Sequence, residues 1–96
     1  MNIESAQEQI ARLKYLISLP STDICWSSYN SVNDAIEELE KLEKGIAKQD
    51  EKSINKLLFL LLPTGELQEI SISSGWADEF LVIAERLETA LGKYDN

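Results

Sequence analysis

Apolar residues recur at spacings of three and four along the first part of the chain. Charged side chains fall between them, which is the pattern of an amphipathic α-helix. The apolar positions are Ile3, Ala6, Ile10, Leu13 and Ile17. The proline ring at position 20 cannot continue a helix. The pattern therefore predicts a first helix that ends before Pro20.

A second helix is predicted to start at Ser31, because Ser31 and Asp34 have the spacing of a capping box. A Gly inside a helix costs about 1 kcal/mol, so we expect this helix to fray at Gly45 or to end near Lys48. A last helix is predicted after position 76 and ends at Gly92. Its apolar stripe consists of Trp76, Phe80, Ile83, Leu87, Leu91 and Tyr94.

The intervening segments 57–62 and 67–73 are ambiguous. A short apolar run such as LLFLLL has no decisive period, and the alternation ISIS in the second segment is typical of a half-buried strand. The overall composition and the flanking signals favour helix for both segments. A β-hairpin formed by these two segments remains the alternative.

Two breaks flank the second segment, and together they predict a tight double corner. Pro63 ends the preceding element, Thr64 is the expected cap of the next helix, and Gly65 is its expected first residue. At the other break, Gly75 followed by the apolar Trp76 is typical of a Schellman ending. We therefore predict an all-α fold of four to five helices in one globular domain over residues 1–96. The alternative is an α+β fold containing the hairpin.

The charge and composition exclude several classes of function. The 96 residues carry nine Lys or Arg and seventeen Asp or Glu, giving a net charge of −8. This negative charge disfavours binding to phosphate backbones and to anionic lipids, so we expect no nucleic-acid or membrane partner. The N-terminal stretch has acidic residues and no signal-peptide pattern, and no apolar run is long enough to span a bilayer. We expect a soluble cytoplasmic protein.

The reactive residues of most enzymes are missing from the chain. It has no His and only one Cys, so it has no Ser-His or Cys-His pair and no zinc ligand set. We expect Cys25 to be a partly buried small apolar residue, and we expect no catalytic residues, metal or cofactor. The alternative is a small-ligand binder or a carboxylate enzyme in segment 63–80, using Gln68, Glu69 and Glu79.

Recognition of another protein is the function that the remaining features favour. Trp26 and Tyr29 are residue types that anchor interfaces. Acidic residues along the second helix would steer a basic partner toward the chain; these are Glu37, Glu38 and Glu40. A homodimer built through the run 57–62 or through an exposed helical stripe is a further alternative.

Three pieces of the chain resemble a widespread family of small, acidic, uncharacterised bacterial proteins. The pieces are WSSY at 26–29, LLPTGELQEISISSGW at 61–76 and DEFLVIAERLE at 78–88. The resemblance covers roughly residues 25–90. Such proteins are similar in size and charge to immunity proteins, which mask the active surface of a toxin. The resemblance therefore implies an inhibitor that binds a protein.

Overall fold

Within the residues that the structure describes, the fold consists of five α-helices and contains no strand. The structure is a computed structural model, and it describes residues 2–25, 27–63 and 65–92. The helices are α1 (Ile3–Ile17), α2 (Val32–Ala47), α3 (Glu51–Leu60), α4 (Glu66–Ser74) and α5 (Ala77–Ala90). The predicted all-α fold is confirmed, and the alternative hairpin is wrong.

Helix α2 begins as its sequence predicts, because the Ser31 Oγ accepts a hydrogen bond from the Asp34 N–H at 3.1 Å. It passes through Gly45 without interruption and ends at Ala47. A Cβ atom at Gly45 would lie 2.5 Å from Ser53 Cβ, at the start of α3. Gly45 therefore allows close contact between α2 and α3. The expected end near Lys48 is confirmed, since Lys48 is the C-cap of α2, and the alternative of fraying at Gly45 is wrong.

The burial pattern of α4 explains why this segment is a helix. Its buried residues are Leu67, Ile70 and Ser71, whose spacings of three and one match one face of a helix. Ile72 is 57% exposed, whereas a half-buried strand would have placed it on the same face as Ile70. The Ser71 hydroxyl donates to the Gln68 carbonyl at 2.7 Å, which allows this polar side chain to be buried.

The two predicted corners flank α4. Gly65 is itself the N-cap of α4, with φ −80°, so the expectation of Gly65 as the first helical residue is wrong by one position. Thr64, the predicted cap, lies outside the described residues. At the other corner Gly75 has φ +85°, and the Trp76 N–H donates to the Ser71 carbonyl at 3.0 Å. This is the predicted Schellman ending. Pro63 is exposed, whereas Trp76 is buried.

One hydrophobic core connects all five helices. Fully buried side chains from each of them contribute to it, among them Leu13, Leu39, Leu57, Leu67 and Phe80. The radius of gyration is 12.4 Å, as expected for a compact chain of this length. Among the described residues, no helix is both long enough and apolar enough to span a bilayer.

The long connection 18–31 follows α4 in the opposite direction. The Asp23 N–H donates to the Ser74 Oγ at 2.8 Å, at the end of α4. The Ser28 N–H donates to the Glu66 Oε1 at 3.3 Å, at its start. Ile24 and Tyr29 pack against the core, so apolar side chains attach this connection to the fold.

Candidate functional site

A small cleft opens where the long connection, α2, α3 and α4 meet. Its volume is about 270 Å³, and we call it the Tyr29 cleft. Its lining residues are Ser28, Tyr29, Glu38, Lys56, Phe59, Leu60, Gly65 and Glu66. Residues 28–29 and 65–66, which lie far apart in the sequence, both contribute to it.

Local backbone geometry places the residues of this cleft. The Ser27 Oγ donates to the Ile24 carbonyl at 2.8 Å and accepts from the Tyr29 N–H at 3.3 Å, which fixes the turn before Tyr29. A Cβ atom at Gly65 would lie 2.7 Å from the Leu60 carbonyl oxygen. The chain therefore turns sharply enough to place Glu66, in the first turn of α4, beside Ser28.

The Tyr29 hydroxyl is held as a neutral hydrogen-bond donor. It donates to the Glu38 Oε1 at 2.8 Å. Burial raises the pKa of Tyr29 well above its ordinary value, and the hydrogen bond and negative charge of Glu38 raise it further. Glu66 adds a smaller effect in the same direction. Burial and the two carboxylates therefore disfavour the phenolate, so Tyr29 keeps its proton to a higher pH than an ordinary tyrosine does.

An exposed aromatic face completes the cleft. Phe59 is 61% exposed, and the Lys56 Nζ lies 5.8 Å from the centroid of its ring. This distance is within the range of a cation–π interaction. The cleft thus combines two carboxylates with an aromatic face that already accepts an ammonium group. Such an arrangement suits binding of a cationic side chain.

Of the five residues predicted to bind a partner, the four that the structure describes do not share one surface. Tyr29 and Glu38 meet in the cleft. Glu37 and Glu40 are exposed on another side of α2. Glu38 and Glu40 are two helical positions apart, which separates their directions by about 160° around the helix axis. Trp26 lies outside the described residues.

The residues of the alternative ligand site are also dispersed. Gln68 lines a depression of about 550 Å³ beside α5, Glu79 lines a groove between α1 and α5, and Glu69 is exposed on α4. Within the described residues, no three acidic or Cys side chains are grouped as a metal site would need.

Cys25 is exposed, so the expectation that it is partly buried is wrong. Its backbone N–H donates to the Asp23 Oδ1 at 2.9 Å. A separate hydrogen bond between the Cys25 thiol and the Asp23 carboxylate, and then the negative charge of that carboxylate, raise the pKa of the thiol. Little thiolate is therefore present at neutral pH, which makes Cys25 a poor nucleophile.

Sequence reasoning does not single out Lys56, Phe59 and Glu66 as parts of one site. Lys56 and Phe59 are three positions apart, which makes them neighbours on a helix. This spacing is informative only if segment 57–62 is helical, which the sequence leaves ambiguous. Glu66 stands out only as an acid at a helix start, and nothing local indicates its contact with Ser28. The groove between α1 and α5 is missed as well, although both arginines of the chain line it.

Comparisons of the chain with protein-family models, curated protein sequences and solved structures give no match. The family resemblance of the three sequence pieces therefore stays a prediction.

Proposed function

We propose that this chain is a non-enzymatic protein-binding module whose Tyr29 cleft receives a basic side chain from a partner protein. The observation that supports this most is the convergence of Glu38 and Glu66 around Tyr29, beside the exposed ring of Phe59. A partner's Lys or Arg can pair with a carboxylate there and lie against an aromatic face. The chain's net charge of −8 would speed encounter with a basic partner.

The arrangement is prepared for binding before a partner arrives. Glu38 is held by the Tyr29 hydroxyl, and Glu66 is held by the Ser28 N–H. Fixed side chains lose less conformational entropy on association than free ones. In keeping with the family resemblance, we propose an immunity-like role in which the chain covers the active surface of its partner.

Photo-crosslinking from the cleft tests this function. The photoreactive residue p-benzoylphenylalanine replaces Phe59 in one variant and Leu81 in the control variant. Leu81 is a matched control because it is 55% exposed but lies on α5, outside the cleft. We expect position 59 to capture a defined protein from a bacterial extract, and position 81 not to capture it.

Charge variants show whether the cleft recognises a cation. With the captured protein purified, Glu66→Gln is expected to weaken binding about tenfold by removing a carboxylate. Lys56→Met is expected to strengthen binding, because it frees the Phe59 face and removes a competing ammonium. Equal capture from positions 59 and 81, or equal affinity of all three proteins, would contradict the proposed function.

A further inference from the structure

A second surface, separate from the Tyr29 cleft, lies between α1 and α5. The two helices are antiparallel, because the Asn2 N–H before α1 donates to the Ala90 carbonyl at the end of α5 at 2.7 Å. Between them runs a groove of about 600 Å³. Tyr15 and Val82 line it with 66% and 46% of their surfaces exposed.

The charged residues of this groove have no partner within the described part of the chain. Glu79 and Arg86 line the groove from α5, and neither forms a salt bridge or a side-chain hydrogen bond with a described residue. They lie seven residues apart on one face of α5, at a separation of about 10.5 Å. This distance prevents them from pairing with each other.

From this pattern we infer that the groove is the interface of a homodimer with two-fold symmetry. When two copies of α5 pack antiparallel, Arg86 of each copy meets Glu79 of the other. The midpoint between positions 79 and 86 falls at Val82 and Ile83, which places the exposed Val82 beside the two-fold axis. The apolar groove supplies contact area, and the two ion pairs fix the register.

Helix α1 has the same self-complementary spacing. Glu8 and Tyr15 also line the groove and also lie seven residues apart. Their midpoint falls at Ala11 and Arg12, so a Tyr15 hydroxyl can donate to the Glu8 carboxylate of the second copy. The small Ala11 side chain permits close approach at the axis. The two helices therefore indicate the same axis independently.

The second copy fits this groove better than an acidic or a basic partner does. The groove has two carboxylates and two guanidinium groups, so its own charge balances although the chain carries −8. At about 0.15 M salt the Debye length is roughly 8 Å, so charges elsewhere on the two copies repel weakly. The Leu-rich run 57–62 is less available, because Leu57, Leu60 and Leu61 are buried in the core.

Charge exchange between two variants tests this interface. Sedimentation is measured from micromolar to near-millimolar concentration for the wild type, Glu79→Arg and Arg86→Glu. We expect a wild-type dimer, and each variant should dimerise about tenfold more weakly or worse, because like charges then meet at both pairs. An equimolar mixture of the two variants should dimerise again, since both pairs of the mixed dimer then join opposite charges.

A matched control is Glu85→Arg, which reverses a charge on α5 outside the groove and should leave dimerisation unchanged. Arg12→Gln should tighten the dimer, because it removes like charges beside the axis. A wild type that stays monomeric at every concentration would overturn the inference. So would a mixture of the two charge variants that does not associate.

Disulfide coupling then locates the axis. In a Cys25→Ser background, Val82→Cys should form a disulfide between copies much faster than Leu81→Cys, which is exposed on another side of α5. Circular dichroism verifies that each variant is folded. Equal coupling rates at positions 81 and 82 would place the interface elsewhere and overturn the inference.

Discussion

The Tyr29 cleft and the α1/α5 groove are built in opposite ways. Four separate segments form the cleft, and its charged residues Glu38 and Glu66 are hydrogen-bonded to the protein itself. Two regular helix faces form the groove, and its charges have no partner among the described residues. A change at the Gly65 corner that forms the cleft therefore disturbs the fold, whereas a change at the exposed groove surface leaves the monomer intact. The two surfaces can be altered independently of each other.

The largest loss of stability is expected for Gly65→Ala, which changes the corner that forms the cleft. The new Cβ would lie 2.7 Å from the Leu60 carbonyl oxygen and 3.0 Å from that of Leu62. Backbone atoms at a helix end cannot move aside cheaply, so we expect a loss of about 2–3 kcal/mol in the free energy of unfolding. Urea denaturation measures it.

Gly75→Ala is the control for this variant. Nothing lies within 4 Å of a Cβ at Gly75, but its φ of +85° disfavours any residue with a side chain. Its cost should therefore be the smaller one, about 1–2 kcal/mol. A Gly65→Ala protein as stable as wild type would show that the corner is looser than the close approach implies.

The next largest change in the free energy of unfolding is expected for Gly45→Ala. Whether this variant is more or less stable than wild type shows whether helix propensity or packing against α3 dominates. Helix propensity alone predicts that Ala stabilises α2 by about 1 kcal/mol. The overlap with Ser53 Cβ opposes this, and rotation of the Ser53 side chain cannot relieve it. We expect a net loss of about 1–2 kcal/mol. We also expect a disturbed cleft, since α2 and α3 both line it.

A double mutant identifies the contact responsible. In a Ser53→Gly background, Gly45→Ala should no longer destabilise the protein, because the overlapping Cβ is absent. Thermal unfolding of the four proteins gives the coupling between the two positions. Stabilisation by Gly45→Ala alone would show that α2 and α3 lie further apart.

A smaller effect is expected for Tyr29→Phe, which removes the hydrogen bond to Glu38. The loss should be about 0.5–1.5 kcal/mol at neutral pH. The pKa of Tyr29 is raised in the folded protein above the value of about 10 in the unfolded chain. Its contribution to stability is therefore complete below about pH 10 and is lost as the pH rises further, when only the unfolded chain releases the proton.

Stability measured above about pH 10 tests the direction of this pKa shift. Wild-type stability should fall more steeply above about pH 10 than that of Tyr29→Phe, so the difference between the two proteins narrows there. Phenolate absorbance of the folded wild type should show one tyrosine ionising later than it does in the unfolded chain. Parallel stability curves above about pH 10 would contradict a raised pKa at Tyr29.

Much of this fold is predictable because local signals agree with the tertiary structure. Helices α1, α2 and α5 have clear periods, and Ser31, Gly75 and Gly92 terminate or cap helices where expected. Helices α3 and α4 are ambiguous in the sequence because α3 contains an unbroken apolar run and α4 alternates isoleucines with serines. In α4 the choice depends on burial of Ser71 and exposure of Ile72, which no local pattern shows.

Only part of the Tyr29 cleft follows from the sequence. Tyr29 and Glu38 are both predicted to bind a partner, and they are nine positions apart in the sequence. The contact between Ser28 and Glu66 spans 38 residues and depends on how the connection lies along α4. Contacts at such separations follow from packing of the whole chain, so single-residue preferences cannot indicate them.

The smallest effect on the monomer is expected for Val82→Ser in the groove. Val82 is 46% exposed. The change should therefore alter the unfolding free energy at micromolar concentration by less than about 0.5 kcal/mol. A dimer is stabilised by mass action, so the wild-type unfolding temperature should rise with protein concentration. In Val82→Ser this rise should disappear, because Val82 lies beside the inferred axis. A large loss of stability at low concentration would instead make Val82 part of the monomer's fold, and the contrast with the cleft would fail.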